Sequence, residues 1–322
     1  MSLPTLRDIF LAQQKIYPLA RRTPLIYSPA LSNLADTAVT LKLETVQEIG
    51  AFKIRGAANK ILNLTPAQKE RGVVTVSTGN HGRAVAYVAQ QVGIRAVVCI
   101  SEQVPANKVA AIEQLGAEVV ITGQSQDDAG EKADQLVAEQ GLTMIHPFDD
   151  PYIIAGQGTI GLELLQERPS LSSVLVPLSG GGLIAGIGLA LKTAAPDLRV
   201  IGVSMERGPV MYHSLQAGYP VQLEELPTLA DSLQGGIGLD NHYTYQMVQQ
   251  FVDDIILVSE EEIAAAMAFA FRRHHLVLEG GAAVGIAALM SGKASQLGEE
   301  TAVVLSGGNV DLDKLIHIVE KS

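Results

Sequence analysis

Short runs of β-branched and aliphatic residues alternate with amphipathic stretches through most of this chain, and that cadence limits the fold more than any other feature. Residues 72–77 read as a strand and 80–92 as a helix. A strand over 95–100 precedes a helix over 105–115, with Pro105 in its first turn, and a strand over 118–122 precedes a helix over 127–140. The turn-rich run His146-Pro147-Phe148-Asp149-Asp150-Pro151 interrupts the pattern, which then resumes. Strands are expected at 173–177, 200–204 and 301–305, and helices at 183–195, 260–274 and 281–291, although Gly281 and Gly285 weaken the last of these. Strands that alternate with helices pair in parallel and are covered on both faces. The sequence therefore predicts an α/β protein with parallel sheets, and the turn-rich 146–151 run suits a domain crossing.

Charge and composition narrow the function. The net charge is -11 and the acidic residues are spread along the chain. A nucleic-acid surface needs clustered Lys and Arg, and the absence of Trp weakens any reading based on stacked bases. No apolar run reaches the roughly 18 residues of a membrane span, and residues 1–7 show no signal pattern. The single cysteine, Cys99, lies in the apolar run Ala96-Val97-Val98-Cys99-Ile100 and reads as core. These features predict a cytoplasmic protein without nucleic-acid or membrane partners. No metal is expected: His274 and His275 are adjacent, so a helix points them to different faces.

Three small turns each follow a buried-looking strand: Ser77-Thr78-Gly79-Asn80, Ser179-Gly180-Gly181-Gly182 and Ser306-Gly307-Gly308-Asn309. One such turn simply ends a strand. Three together suggest a shared site, because open α/β sheets bind ligands beyond the carboxyl ends of their strands. Ser179-Gly180-Gly181-Gly182-Leu183 sits between a strand and a helix, where glycine amides and the helix dipole suit an anion. Alone, this loop leaves a nicotinamide oxidoreductase and a pyridoxal-phosphate enzyme level, since Gly180, Gly182 and Gly186 also mimic a dinucleotide fingerprint.

Lys53 separates the two. It lies in Ala51-Phe52-Lys53-Ile54-Arg55-Gly56, ahead of a helical stretch to Leu64, and its apolar neighbours can desolvate the amine. Desolvation disfavours the ammonium and leaves a nucleophile able to form a Schiff base. Asn80 and His81 follow a strand-to-helix turn whose amides can hold a carboxylate, and Asn80 can also cap the helix.

In order and spacing, Phe52-Lys53-x-Arg55-Gly56, Ser77-x-Gly79-Asn80-His81, Ser179-Gly-Gly-Gly-Leu183 and Ser306-Gly-Gly-Asn309 resemble the serine/threonine dehydratases and serine racemases. These are pyridoxal-phosphate enzymes of the tryptophan-synthase-β kind (fold type II), which implies two open, twisted α/β domains, the larger from 1–71 and 149–322 and the smaller from 72–148, with the cofactor in the interdomain cleft. The resemblance implies that Lys53 holds pyridoxal 5'-phosphate as a Schiff base and later acts as the base at Cα. It implies that Phe52 lies beside the cofactor, Asn80 contacts its 3-oxygen, Ser179, Gly180, Gly181, Gly182 and Leu183 hold its phosphate, and Ser306 meets the pyridine nitrogen. A neutral Ser there tempers the electron sink. Ser77, Thr78, Gly79, Asn80 and His81 would bind the substrate carboxylate, and Glu279 matches an acidic position near the ring. The implied activity is loss of water, then ammonia, from a small β-hydroxy-α-amino acid such as threonine or serine, by a homodimer or homotetramer whose smaller domain is mobile.

Several positions depart from the common pattern. Thr78 stands where the racemases have a catalytic Ser, so a racemase remains the alternative on the same fold. Ser204 and Val210 replace residues of the family's divalent-cation site, and Ser232 replaces a Gly beside the ring. Together with Thr78-Gly79-Asn80-His81-Gly82-Arg83-Ala84, Val203 to Gly208, and Asp231-Ser232-Leu233 with Gly235 to Asp240, these resemble the hydroxyectoine-utilisation dehydratases. That branch implies a hydroxylated diamino acid as substrate. Arg83 and Arg207 read as solvated surface charges.

Overall fold

The computed structural model describes residues 2–77, 79–104 and 106–321, with Asn107 and Lys108 described by backbone alone. Ten strands form two sheets: β1 Leu25–Tyr27, β2 Ala38–Leu43, β3 Val73–Val76, β4 Ala96–Ile100, β5 Glu118–Ile121, β6 Thr143–Met144, β7 Ser173–Pro177, β8 Arg199–Met205, β9 Asp254–Val258 and β10 Glu300–Leu305. The larger sheet runs β1-β2-β10-β7-β8-β9, and the smaller runs β5-β4-β3-β6. All neighbours pair in parallel except β1 with β2.

Parallel strands are covered on both faces and so read as unbroken apolar runs. Every residue of β4 and of β7 is buried. In the larger sheet, Leu175, Val203 and Val303 point into one core, built with the helices Glu260–His274, Gly280–Met290 and Leu312–Lys321. Val174, Val176, Ala302 and Val304 point into the other, against Ile160, Ile184 and Ile187. The smaller sheet divides likewise, Val73 and Val98 packing with the helix Asn80–Val92 and Val74 and Val97 with Gln126–Gln140. Cys99 lies in that second core.

Several elements lie outside the alternation legible in the sequence, among them β1, β2, β6, β9 and the helix Pro151–Glu167. This helix is buried all round, with every residue from Ile153 to Leu164 covered, so no amphipathic period marks it. Its start is clear locally: Asp150 Oδ1 accepts from the amides of Tyr152 at 2.8 Å and Ile153 at 3.2 Å, and Pro151 occupies the first turn. It packs on the helix Gly182–Ala194 so closely that a Cβ on Gly186 would lie 2.3 Å from Ile154 O. Gly281 and Gly285 do not break the helix Gly280–Met290, because they let it approach its neighbours. A Cβ on Gly281 would meet Ser232 Oγ at 2.2 Å, and one on Gly285 would meet Val303 at 2.6 Å.

Among the described residues no helix is long and apolar enough to cross a membrane.

Candidate active site

The three glycine-rich turns lie at the carboxyl ends of β3, β7 and β10. Backbone pairing draws Lys53 to the third. Gly308 N donates to Gly50 O at 2.9 Å, Ala51 and Gly307 form a bridge, and Phe52 N donates to Ser306 O at 3.0 Å. Lys53 then opens the helix Lys53–Leu62, immediately beside the buried Ser306.

A segment between the two sheets links Lys53 to the 179–183 loop. Lys53 Nζ donates to Pro147 O at 2.8 Å and lies 5.3 Å from the centre of the Phe52 ring. The next residue, Phe148, forms the floor of the loop: a Cβ on Gly180 would lie 2.4 Å from its ring, and one on Gly182 would lie 2.9 Å from its carbonyl. Gly181 has φ +87° and carries no side-chain cap, so the first amides of Gly182–Ala194 lack helical acceptors. Leu183 is buried in the core, which leaves only its backbone to the loop. Asp149 anchors the segment, its carboxylate accepting from the amides of His242 at 2.7 Å, Tyr243 at 2.9 Å and Thr244 at 2.8 Å.

The first turn contributes from the opposite side. Asn80 Nδ2 donates to Glu279 Oε1 at 2.9 Å and Oε2 at 3.0 Å, while its Oδ1 accepts from Asn309 Nδ2 at 2.7 Å. Ser77 Oγ accepts from Gly79 N at 3.3 Å, and Gly79 borders open space. Thr78 lies outside the described residues. The His81 side chain is buried, with Nε2 2.9 Å from Ile145 O. That contact identifies Nε2 as the protonated nitrogen, so His81 can meet a ligand here only through its backbone.

Burial lowers the Lys53 ammonium to about 8, although the Glu279 carboxylate pulls it the other way. Burial raises Glu279 to about 7, opposed by the Asn80 hydrogen bond and aided by Asp231. Burial, then the charge of Lys53, pushes His81 down to about 3, which keeps its ring neutral. The site thus joins a readily neutralised amine, a carboxyl that holds a proton near neutrality and an anion cradle.

Sequence reasoning missed Pro147, Phe148, Asp149 and Asn309. Asn309 had a signal, since it ends the third glycine turn. Arg83 is corrected from a surface charge: Nη1 donates to Asn309 Oδ1 at 3.0 Å, and Nε is buried with no partner among the described residues. Arg207 does remain exposed, donating to Pro227 O at 2.7 Å. Ser204 is buried, whereas Glu206 faces outward to Lys293 at 3.2 Å, and no cluster of three or more metal-ligating side chains occurs among the described residues.

This geometry has known counterparts. Residues 16–307 match the family described as pyridoxal-phosphate dependent enzyme. A Sinorhizobium fredii protein provisionally named threonine dehydratase is 52% identical over 308 residues, covering 96% of this chain and 93% of its own. The L-threonine ammonia-lyase of Thermotoga maritima is 41% identical, over 98% of this chain and 78% of its own. The structure of maize serine racemase superposes with a TM-score of 0.93 at 35% identity, covering 99% of this chain and 98% of its own. The chain belongs to the pyridoxal-phosphate dependent enzyme family and is a lyase of its serine/threonine dehydratase group. Its fold is the fold type II arrangement, and its cofactor is pyridoxal phosphate. The glycine cradle over Phe148 and the weakly basic Lys53 amine suit that cofactor's phosphate and aldehyde.

Proposed function

We propose that this enzyme removes water and then ammonia from a small β-hydroxy-α-amino acid, leaving a 2-oxo acid. The observation that carries the reading is the Lys53 amine, lowered toward neutrality and held by Pro147 O between the glycine cradle and Ser306. Pyridoxal phosphate, when bound, supplies the electron sink for the charge left at Cα.

The chain's own groups have the following roles. Lys53 Nζ would hold the cofactor through its aldehyde carbon and, when free, would be the base that takes the proton from Cα. Amides of the 179–183 loop would hold the cofactor's phosphate, Asn80 Nδ2 its ring oxygen and the Ser306 hydroxyl its ring nitrogen. Phe52 packs beside the ring. The turn formed by Ser77, Thr78, Gly79, Asn80 and the His81 backbone holds the substrate carboxylate, and Glu279 keeps a proton near Asn80. The unit from 72–148 closes over the substrate, and the protein works as a cytoplasmic homodimer or homotetramer.

Threonine or serine fits the named relatives. The residues around Ser204, Ser232 and Arg83 favour a hydroxy diamino acid derived from hydroxyectoine. Ser232 supports this because its hydroxyl lies against Gly281, 2.2 Å from where a Cβ there would be, and a side chain at this position narrows the space beside the ring. The test is 2-oxo acid release from L-threonine, L-serine and the hydroxy diamino acid. Lys53→Ala should lower turnover at least about 100-fold. Release from threonine alone would discard the diamino acid, and release from none would discard the dehydratase reading. The likeness to maize serine racemase favours one second reading, and chiral analysis showing inverted amino acid without 2-oxo acid would establish it.

A further inference from the structure

Arg55 shares its sequence run with Lys53, yet the proposed reaction gives it no part. Two residues turn a side chain about 200° around a helix, so Arg55 faces the interior while Lys53 faces the cleft. Arg55 is 0% exposed and grips two carboxylates at once. Nε donates to Glu44 Oε2 at 2.8 Å and Nη2 to Glu44 Oε1 at 2.8 Å. Nη1 donates to Glu163 Oε1 at 2.6 Å and Nη2 to Glu163 Oε2 at 3.0 Å. Nη1 also reaches Thr159 Oγ1 at 3.0 Å.

Both acids are held in turn. Thr23 Oγ1 donates to Glu44 Oε1 at 2.6 Å, and Lys42 Nζ lies 2.8 Å from Glu163 Oε2. Lys42, Glu44, Arg55 and Glu163 are all buried, and their charges cancel. They come from β2, the turn after it, the Lys53 helix and the helix Pro151–Glu167. Burial works against the Arg55 charge, but the two carboxylates outweigh it and hold the guanidinium protonated.

Stability alone does not call for this cluster, because apolar residues of equal volume often hold a core as well as a buried ion network does. Two planar forks add orientation: they admit one roll and one height for the helix that carries them. Further along the Lys53 helix, Asn59 Nδ2 donates to Tyr152 O at 2.7 Å and Lys60 pairs with Asp150, so Arg55 is the buried polar tie nearest its first turn. The helix's N-terminal residue Phe52 provides no side-chain cap. Its contact with Pro151–Glu167 is a glycine crossing, where a Cβ on Gly156 would lie 2.6 Å from Arg55 O and 2.7 Å from Gly56 Cα. Such a surface permits close approach, and beside it the orientation of the first turn falls to polar contacts.

We propose that Arg55 is a positioning residue, whose double fork to Glu44 and Glu163 sets the first turn of its helix and thereby aims Lys53 Nζ at the cofactor aldehyde. The inference rests on the role assigned to Lys53. In the step concerned, the neutral amine's lone pair forms the new C–N bond, and the aldehyde oxygen leaves as water with both amine protons. No oxidant or reductant is required.

The test mixes cofactor-free wild type, Arg55→Lys and Glu163→Gln with pyridoxal phosphate and follows the covalent linkage by absorbance at saturating cofactor. Binding of pyridoxine phosphate, which has no aldehyde, is measured in parallel. Both variants should slow the covalent step about 10- to 100-fold, as misplaced reacting groups do, while pyridoxine phosphate binds within about twofold of wild type because the loop that takes it lies on another helix. Leu315→Ala, in the core under the C-terminal helix, serves as the stability control and should lower Tm without slowing the step. Wild-type rates in both variants, or an equal slowing in Leu315→Ala, would overturn the inference alone. A wild-type chain that forms no linkage would overturn the role of Lys53 and this inference with it.

Discussion

Lys53 and Glu279 interact across the site and shift in opposite directions, and each shift has a measurable sign. The free Lys53 amine becomes neutral through about pH 8. The rate at which cofactor-free enzyme joins pyridoxal phosphate should therefore rise with pH around that midpoint. Glu279→Gln removes the charge that supports the ammonium, so stopped-flow profiles should show the midpoint moving lower. An unchanged midpoint would separate the two groups.

Glu279 also carries a stability signature. Its folded value, about 7, lies above its ordinary 4.5. Between those values the folded chain binds more protons than the unfolded one, so this group's contribution to stability falls as pH rises through the window. Denaturant unfolding of cofactor-free enzyme should show that decline, and Glu279→Gln should flatten it. Gly180 tests the cradle. Gly180→Ala places a methyl 2.4 Å from the Phe148 ring. It should cost about 1–3 kcal/mol of stability and weaken cofactor binding, with Phe148→Ala restoring part of the stability in the double variant.

At the scale of elements, β3, β7 and β10 with their glycine turns were legible because each leaves a local mark, an apolar run and then small residues, whereas β2, β6 and β9 carry no such turn. The helix Pro151–Glu167 left almost no mark, since burial on all sides erases the amphipathic period. Its closest contact is testable. Gly186→Val would drive a side chain toward Ile154 O, where even a Cβ would lie 2.3 Å away. Thermal unfolding should show a loss of about 1–3 kcal/mol or more. The same close contact explains why glycines that argue against a helix in the sequence are compatible with one in the fold.

For the whole molecule, the site is assembled by long-range pairing that no local window reveals. Asn80 meets Glu279, and Arg83 meets Asn309, across more than half the chain. Arg83 looked like an ordinary surface charge because nothing near it in sequence indicates Asn309. Pro147 and Phe148 were legible only as a turn; their roles depend on where Lys53 and Gly180 arrive from other elements. The contacts around Asn309 also fasten the helix Asn80–Val92 to the turn after β10. Asn309→Ala should raise KM more than it lowers kcat and speed hydrogen exchange in the helix Asn80–Val92. Unchanged exchange would remove Asn309 from any closing motion.

The central claim is that Lys53 carries the cofactor, and an absorption spectrum tests it most directly. Purified wild type and Lys53→Ala are compared with pyridoxal phosphate, before and after borohydride. The account predicts a near-visible band in wild type that borohydride abolishes, with the cofactor then fixed to Lys53 by peptide mass, and no such linkage in Lys53→Ala. A wild-type chain without the band, or a Lys53→Ala chain that retains it and is trapped at another lysine, would contradict it.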